Sequence, residues 1–185
     1  DRCFHCKTEL FTRIGDEVAE RYGLTAIAYG ENADDARRPD RPGAQAASNH
    51  RVLRPLAEAG LGKAEVRQVA RALGLASADK PAAPCLASRI PHHEPVTAEK
   101  LRQIEQAEEA LHALGFSDGR VRHHGAIARI ELPAAELVRA VSEPVRSQLL
   151  GRVRAAGFRF VSLDLAGIQS GAFTLPLVTR RASGD

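Results

Sequence analysis

Four prolines, Pro81, Pro84, Pro91 and Pro95, fall within residues 76–95. Proline has no amide proton to donate, and the residue before it is pushed into extended backbone. No regular element can run through this stretch, so the 185-residue chain is divided around it. Irregular segments of this length are uncommon in compact domains and tend to carry function. This one holds Cys85 and Arg89. We place a domain boundary near residue 95, giving 1–94 and 95–185.

Periodicity supplies the elements on either side. Leu10, Phe11, Ile14, Val18 and Tyr22 predict a helix over 7–22 that stops at Gly23. The apolar run 24–29 reads as a buried strand. It ends at Gly30, where the polar, acidic residues 31–35 begin, and the C-terminal end of a strand is where α/β sheets place ligands. Residues 36–50 read as a long loop with one helical turn. A second helix covers 63–73. Beyond the prolines, Thr97 caps a helix to about 114, strands follow at 119–124 and 127–132, then helices at 134–141 and 144–156 and a strand at 158–165. That order predicts a small α+β domain with an antiparallel sheet. The tail from 175 reads as loose.

Composition narrows the class. Apolar residues make up 44% and charged residues 26%, enough to build a core from a chain with no Trp. No run approaches the roughly 18 apolar residues of a membrane helix. The net charge of +3 is too mild for nucleic acid to be the main partner. Three Cys and no export signal argue against a disulfide framework and for the cytoplasm. The sequence has no Met and begins with Asp, which predicts the C-terminal part of a longer chain.

Several residues carry chemistry by type and spacing. Cys3 and Cys6, just before the first helix, can hold one metal ion or two irons of a cluster, and Cys85 can join them only through the fold. Three thiolates on a cubane leave one iron open. A zinc site completed by His5, or Cys85 as a plain thiol, is the alternative. Arg89, four residues after Cys85, can lower a thiol pKa or bind an anion. Asn32, Asp34 and Asp35 can bind Mg²⁺ or nucleotide hydroxyls, or simply shape a turn. Arg120 and Arg122 share one face of a strand and suit a phosphate monoester, while Arg129 and Glu131 share a face of the next. A solvated face balanced by ion pairs explains the same pattern. Glu108 lies on the inward side of its helix, paired or metal-bound, with Glu131 as a companion.

Taken together these blocks resemble one family. Residues 1–11 (DRCFHCKTELF), 30–35 (GENADD), 58–67, 80–91 (KPAAPCLASRIP) and 121–131 match, in order, the signatures of the LarE family, and the resemblance runs to about residue 171. Its members are ATP-dependent sulfur transferases of the PP-loop superfamily. They adenylate a carboxylate of a pyridinium-biscarboxylate mononucleotide and replace oxygen by sulfur, for the nickel-pincer cofactor of lactate racemase.

The resemblance implies an incomplete PP-loop parallel-sheet α/β domain, of the adenine nucleotide alpha hydrolase type, followed by a small α+β domain. One branch of the family sacrifices the sulfur of its motif cysteine. The other holds a 4Fe-4S cluster on that cysteine and a CxxC pair. With Cys3, Cys6 and Cys85, this chain is similar to the cluster branch. The same match implies Arg120 and Arg122 as a substrate-phosphate clamp, Lys7, Cys85 and Arg89 at the reaction centre, and Asn32, Asp34 and Asp35 on the nucleotide side. It also implies Glu108 and Glu131 near Mg²⁺ or another divalent cation, with ATP, a sulfide donor and a homo-oligomer. Three features depart from the pattern. No Ser-Gly-Gly-x-Asp-Ser pyrophosphate loop occurs, Glu31 replaces a small hydroxyl residue, and Gln169 replaces an arginine. The rival readings are a cluster-dependent tRNA thiolase of the same superfamily and a non-enzymatic zinc-binding remnant.

Overall fold

Phe4 and Phe11, two turns apart, lie on one face of the first helix, and that face builds a small core. The computed structural model describes residues 2–38, 43–80 and 84–169. Helix α1 (Arg2–Arg13) continues through a π-helical stretch (Ile14–Ala19) and a last turn (Glu20–Tyr22), ended by Gly23 in the left-handed region. It begins earlier than the sequence predicts. No Gly or Pro interrupts residues 2–6, and Phe4 packs on the cluster of Phe11, Ala46, Ala47 and Val52. Cys3 and Cys6 therefore lie on the helix, not before it.

Two further expectations are corrected here. The strand over 24–29 reduces to one parallel bridge, Ala28 with Leu53. A strand is extended by neighbours, and among the described residues Leu53 alone pairs with this segment. The loop over 36–50 contains a helix: α2 (Ala33–Ala36) is followed by α3 (Gly43–Asn49). Ala44, Ala46 and Ala47 favour helix, and Ala46 and Ala47 are fully buried. Pro55 opens α4 (Pro55–Glu58), a position that needs no amide donor. Helix α5 (Lys63–Ala72) matches its expected span closely.

The contacts divide the chain into two compact units, Asp1–Lys80 and Pro81–Asp185. In the second, a 3₁₀ turn (Leu86–Arg89) precedes α6 (Ala98–Ala113), whose N-cap Thr97 accepts from the Lys100 amide as its sequence position predicts. Strands β1 (Arg120–His124) and β2 (Ile127–Glu131) form an antiparallel hairpin. Helices α7 (Leu137–Val141) and α8 (Val145–Ala155) then carry the chain to β3 (Phe160–Leu163).

The element order is the expected one, but the sheet is mixed, not antiparallel: β3 runs parallel to β2. A hairpin turn reverses direction, whereas a helical crossover returns the chain to the same end of the sheet. The sheet packs on α6 and α8 through Leu111, Val121, Ile130, Leu132 and Val153, each fully or almost fully buried. Burying such a side chain contributes roughly 1.5–3 kcal/mol. Gly119 permits this packing, because a Cβ there sits 2.6 Å from Leu111 Cδ1. Among the described residues no helix is long and apolar enough to cross a membrane. The expected loose tail from 175 lies outside the described residues.

Candidate functional site

Alternation along β1 puts Arg120 and Arg122 on one face, and the hairpin register places Glu131 opposite Arg120. Glu131 nevertheless pairs diagonally. Arg122 Nε donates to Glu131 Oε1 at 2.9 Å and Nη2 to Oε2 at 2.8 Å, with the carboxylate wholly buried. A second bidentate pair lies alongside. Arg89 Nε and Nη2 donate to Glu108 Oε1 and Oε2 at 2.8 and 3.0 Å, and the Val121 amide also donates to Glu108 Oε1. Both ion pairs are therefore buried.

These pairs hold the turn that carries Cys85. Arg89 Nη1 donates to the Pro84 carbonyl and to Ser88 Oγ, and Arg122 Nη1 donates to the Ser88 carbonyl. Cys85 itself is exposed. Its carbonyl accepts from the Ser88 amide at 2.9 Å.

Arg120 Nη1 and Arg122 Nη2 converge on one acceptor, the Gln169 carbonyl, at 3.0 and 2.9 Å. Gly167, at φ +75°, turns the chain toward that position, and a Cβ there meets the Leu132 carbonyl at 3.0 Å. Asp164, which accepts from Arg129, anchors the start of this segment. Burial, then the charge of Arg89, holds the Arg120 guanidinium below its ordinary pKa. Arg129 stands 3.4 Å from Glu131 Oε1 as well, and Arg120 forms no ion pair with a described carboxylate. Two guanidinium groups that share one acceptor can also bind an anion's oxygen.

The unit 1–80 holds the remaining candidates. Cys3 and Cys6 are exposed and three apart on α1, hence on one side of it. The residue types of that pair suit thiolate ligation of iron. The Lys7 stem lies against Gly43, and its ammonium sits 4.3 Å from the centroid of the Tyr29 ring. Asn32 Oδ1 accepts from the Asp35 amide, and Asp34 Oδ2 accepts from the Lys63 amide at 2.7 Å. Both side chains thus cap helices, α2 and α5. Removing the second cap by Asp34→Ala is expected to lower stability by about 1 kcal/mol, measurable by urea unfolding.

A buried carboxylate, Glu31, adjoins these positions, with Arg54 Nη1 3.7 Å from its Oε2. Burial, then Glu31, pushes the Tyr29 phenol above its ordinary pKa. For a divalent cation the fit is poor. Glu108 and Glu131 spend both oxygens on guanidinium groups, and among the described residues no group of three or more His, Cys, Asp or Glu is arranged to hold a metal ion.

No family model matches the chain. It is 42% identical over 171 residues to an uncharacterized protein of Synechocystis sp., covering 92% of this chain and 63% of that protein. It is 36% identical over 173 residues to the pyridinium-3,5-bisthiocarboxylic acid mononucleotide synthase of Lactiplantibacillus plantarum, covering 92% of this chain and 60% of the synthase. An uncharacterized protein of Methanocaldococcus jannaschii is 28% identical over 165 residues, covering 89% of this chain and 63% of that protein. The chain spans about three fifths of the length of these relatives.

Within 81–185 the structure gathers Arg89, Glu108, Arg120, Arg122 and Glu131 around the Cys85 turn. Sequence reasoning missed the carbonyls of Ser88 and Gln169, because a main-chain acceptor has no residue-type signature. His123 is buried, with Nε2 3.1 Å from Gln103 Oε1 and no hydrogen-bond partner for Nδ1 among the described residues. A ring that donates from Nε2 is neutral; to become charged it takes a second proton at Nδ1, where no described group accepts it. Burial, then Lys100, holds His123 below its ordinary pKa, and burial, then Arg129, does the same to His124.

A pKa lower in the folded than in the unfolded chain means the unfolded chain binds more protons across the interval between them. Stability is then complete above the unfolded value of about 6.5 and falls as pH drops toward the depressed folded values. Urea midpoints are expected to decline from pH 7 to pH 5, and less steeply in His123→Gln. A flat profile contradicts this.

Proposed function

We propose that this chain carries the substrate-anion and sulfur-handling parts of a LarE-type, ATP-dependent sulfur transferase. The substrate is a pyridinium-biscarboxylate mononucleotide, whose carboxylates become thiocarboxylates. The observation that carries the reading is the convergence of Arg120 and Arg122 on a single oxygen, beside the exposed Cys85 turn. The likeness to the named synthase supports it independently.

The chemistry divides among these residues. A carboxylate is a poor electrophile, and AMP makes it an ester with a good leaving group. Sulfur then attacks the acyl carbon, the C–S bond forms, and the C–O bond to AMP breaks. Arg120 and Arg122 take the phosphate of the mononucleotide and fix its orientation. Glu131 and Glu108 keep Arg122 and Arg89 in place. Cys3, Cys6 and Cys85 are the thiolates that would hold a 4Fe-4S cluster, and such a cluster would supply the sulfide nucleophile. Asn32, Asp34 and Asp35 serve the nucleotide side, where Asn32 and Asp34 also cap helices, and Lys7 serves the reaction. The protein works as a homo-oligomer in the cytoplasm and draws on an external sulfide donor.

Calorimetric titration tests the anion role. The pyridinium-biscarboxylate mononucleotide is expected to bind at least about tenfold more tightly than the same compound without its phosphate. Equal affinity for the two contradicts the reading.

A further inference from the structure

Arg122 is the one guanidinium that touches both parts of the site. Its Nε and Nη2 are held by Glu131, its Nη1 reaches the Ser88 carbonyl at 3.1 Å, and its Nη2 also reaches the Gln169 carbonyl at 2.9 Å. The group is planar, with its donors in a fixed fork. It cannot turn to serve one acceptor without giving up the others.

Ser88 is the node on the other side. Its amide closes the turn onto the Cys85 carbonyl, its hydroxyl accepts from Arg89, and its carbonyl accepts from Arg122. The placement of Cys85 thus depends on Ser88, and that of Ser88 on Arg122.

We infer that Arg122 is a positioning residue that couples occupation of the anion subsite to the order of the Cys85 turn. The inference rests on the anion-binding role proposed above. One pose of Arg122 satisfies Ser88 and also completes the fork with Arg120. A phosphate oxygen taking the place of the Gln169 carbonyl makes charge-assisted bonds, stronger than those of a neutral carbonyl. It therefore favours that pose, and whatever favours the pose favours an ordered Ser88. Linkage makes the effect reciprocal: an ordered turn improves phosphate affinity by the same factor.

Amide hydrogen exchange of the full chain, read on the peptide covering residues 84–90, tests this with inorganic phosphate as the probe. Saturating phosphate is expected to slow exchange of this peptide about fivefold, a modest coupling. Arg120→Gln is expected to lose both the phosphate binding and the slowing. Arg122→Lys, whose single ammonium cannot span Glu131 and Ser88 together, is expected to lose the slowing at phosphate concentrations where calorimetry still detects binding.

A purely structural Arg122 gives no phosphate dependence. Bound phosphate with unchanged exchange in the parent chain overturns the coupling and leaves the anion reading standing. No phosphate binding overturns both. Binding unaffected by Arg120→Gln puts the phosphate elsewhere and also overturns the inference. Because the parent chain and Arg120→Gln decide these outcomes, the test survives if Arg122→Lys fails to fold.

Discussion

Glu131→Ala is expected to destabilise the chain by about 3–5 kcal/mol, because it leaves the buried Arg122 guanidinium without its counter-charge. Glu131 is completely buried and gives both oxygens to Arg122. The carbonyls of Ser88 and Gln169, which Arg122 also contacts, are neutral. Since a domain is usually stable by about 5–15 kcal/mol, the loss is a large fraction of the whole, and the urea midpoint reads it directly.

The double variant Glu131→Ala with Arg122→Met removes both charges and is expected to recover most of the loss, since replacing a buried pair by apolar groups is often neutral. A single-variant loss below about 1 kcal/mol, in the range of an exposed ion pair, contradicts the buried-pair account.

The second large effect concerns binding. Arg120→Gln is expected to weaken affinity for the phosphorylated mononucleotide by about 10–100-fold, the equivalent of one charge-assisted hydrogen bond at roughly 1.5–3 kcal/mol. Its effect on folding is expected to be small. Arg120 is only partly buried and forms no ion pair with a described carboxylate, so its removal orphans no charge. Calorimetry with the phosphorylated and phosphate-free compounds separates the two effects. If Arg120→Gln weakens both compounds equally, the loss is not at the phosphate.

The features legible in the sequence were those set by local rules. Thr97 caps α6 because its side chain reaches an amide three residues on, and the spacing of Leu101, Ile104 and Leu111 already marks the inward face. Alternation in β1 puts Arg120 and Arg122 together without any knowledge of the fold. The direction of β3 was not local. It depends on the crossover through α7 and α8, and the strand's own residues read the same in either direction.

The first helix was drawn too short because Phe4 finds its partners in Ala46, Ala47 and Val52, some forty residues away in sequence. At the site, residue type alone left Glu108 and Glu131 open between cation binding and ion pairing. The structure shows each of them gripping an arginine. The convergence on the Gln169 carbonyl was beyond sequence reasoning, since it is made by backbone that Gly167 and Asp164 direct.

The central proposal is that Cys85 joins Cys3 and Cys6 in holding a 4Fe-4S cluster. Iron, zinc and acid-labile sulfide counted per chain after anaerobic purification, on the parent chain and on Cys85→Ala, test it most directly. The account predicts about four iron and four sulfide per chain, the complement of one cubane, both lost in the variant. Zinc without iron, unchanged by Cys85→Ala, contradicts it.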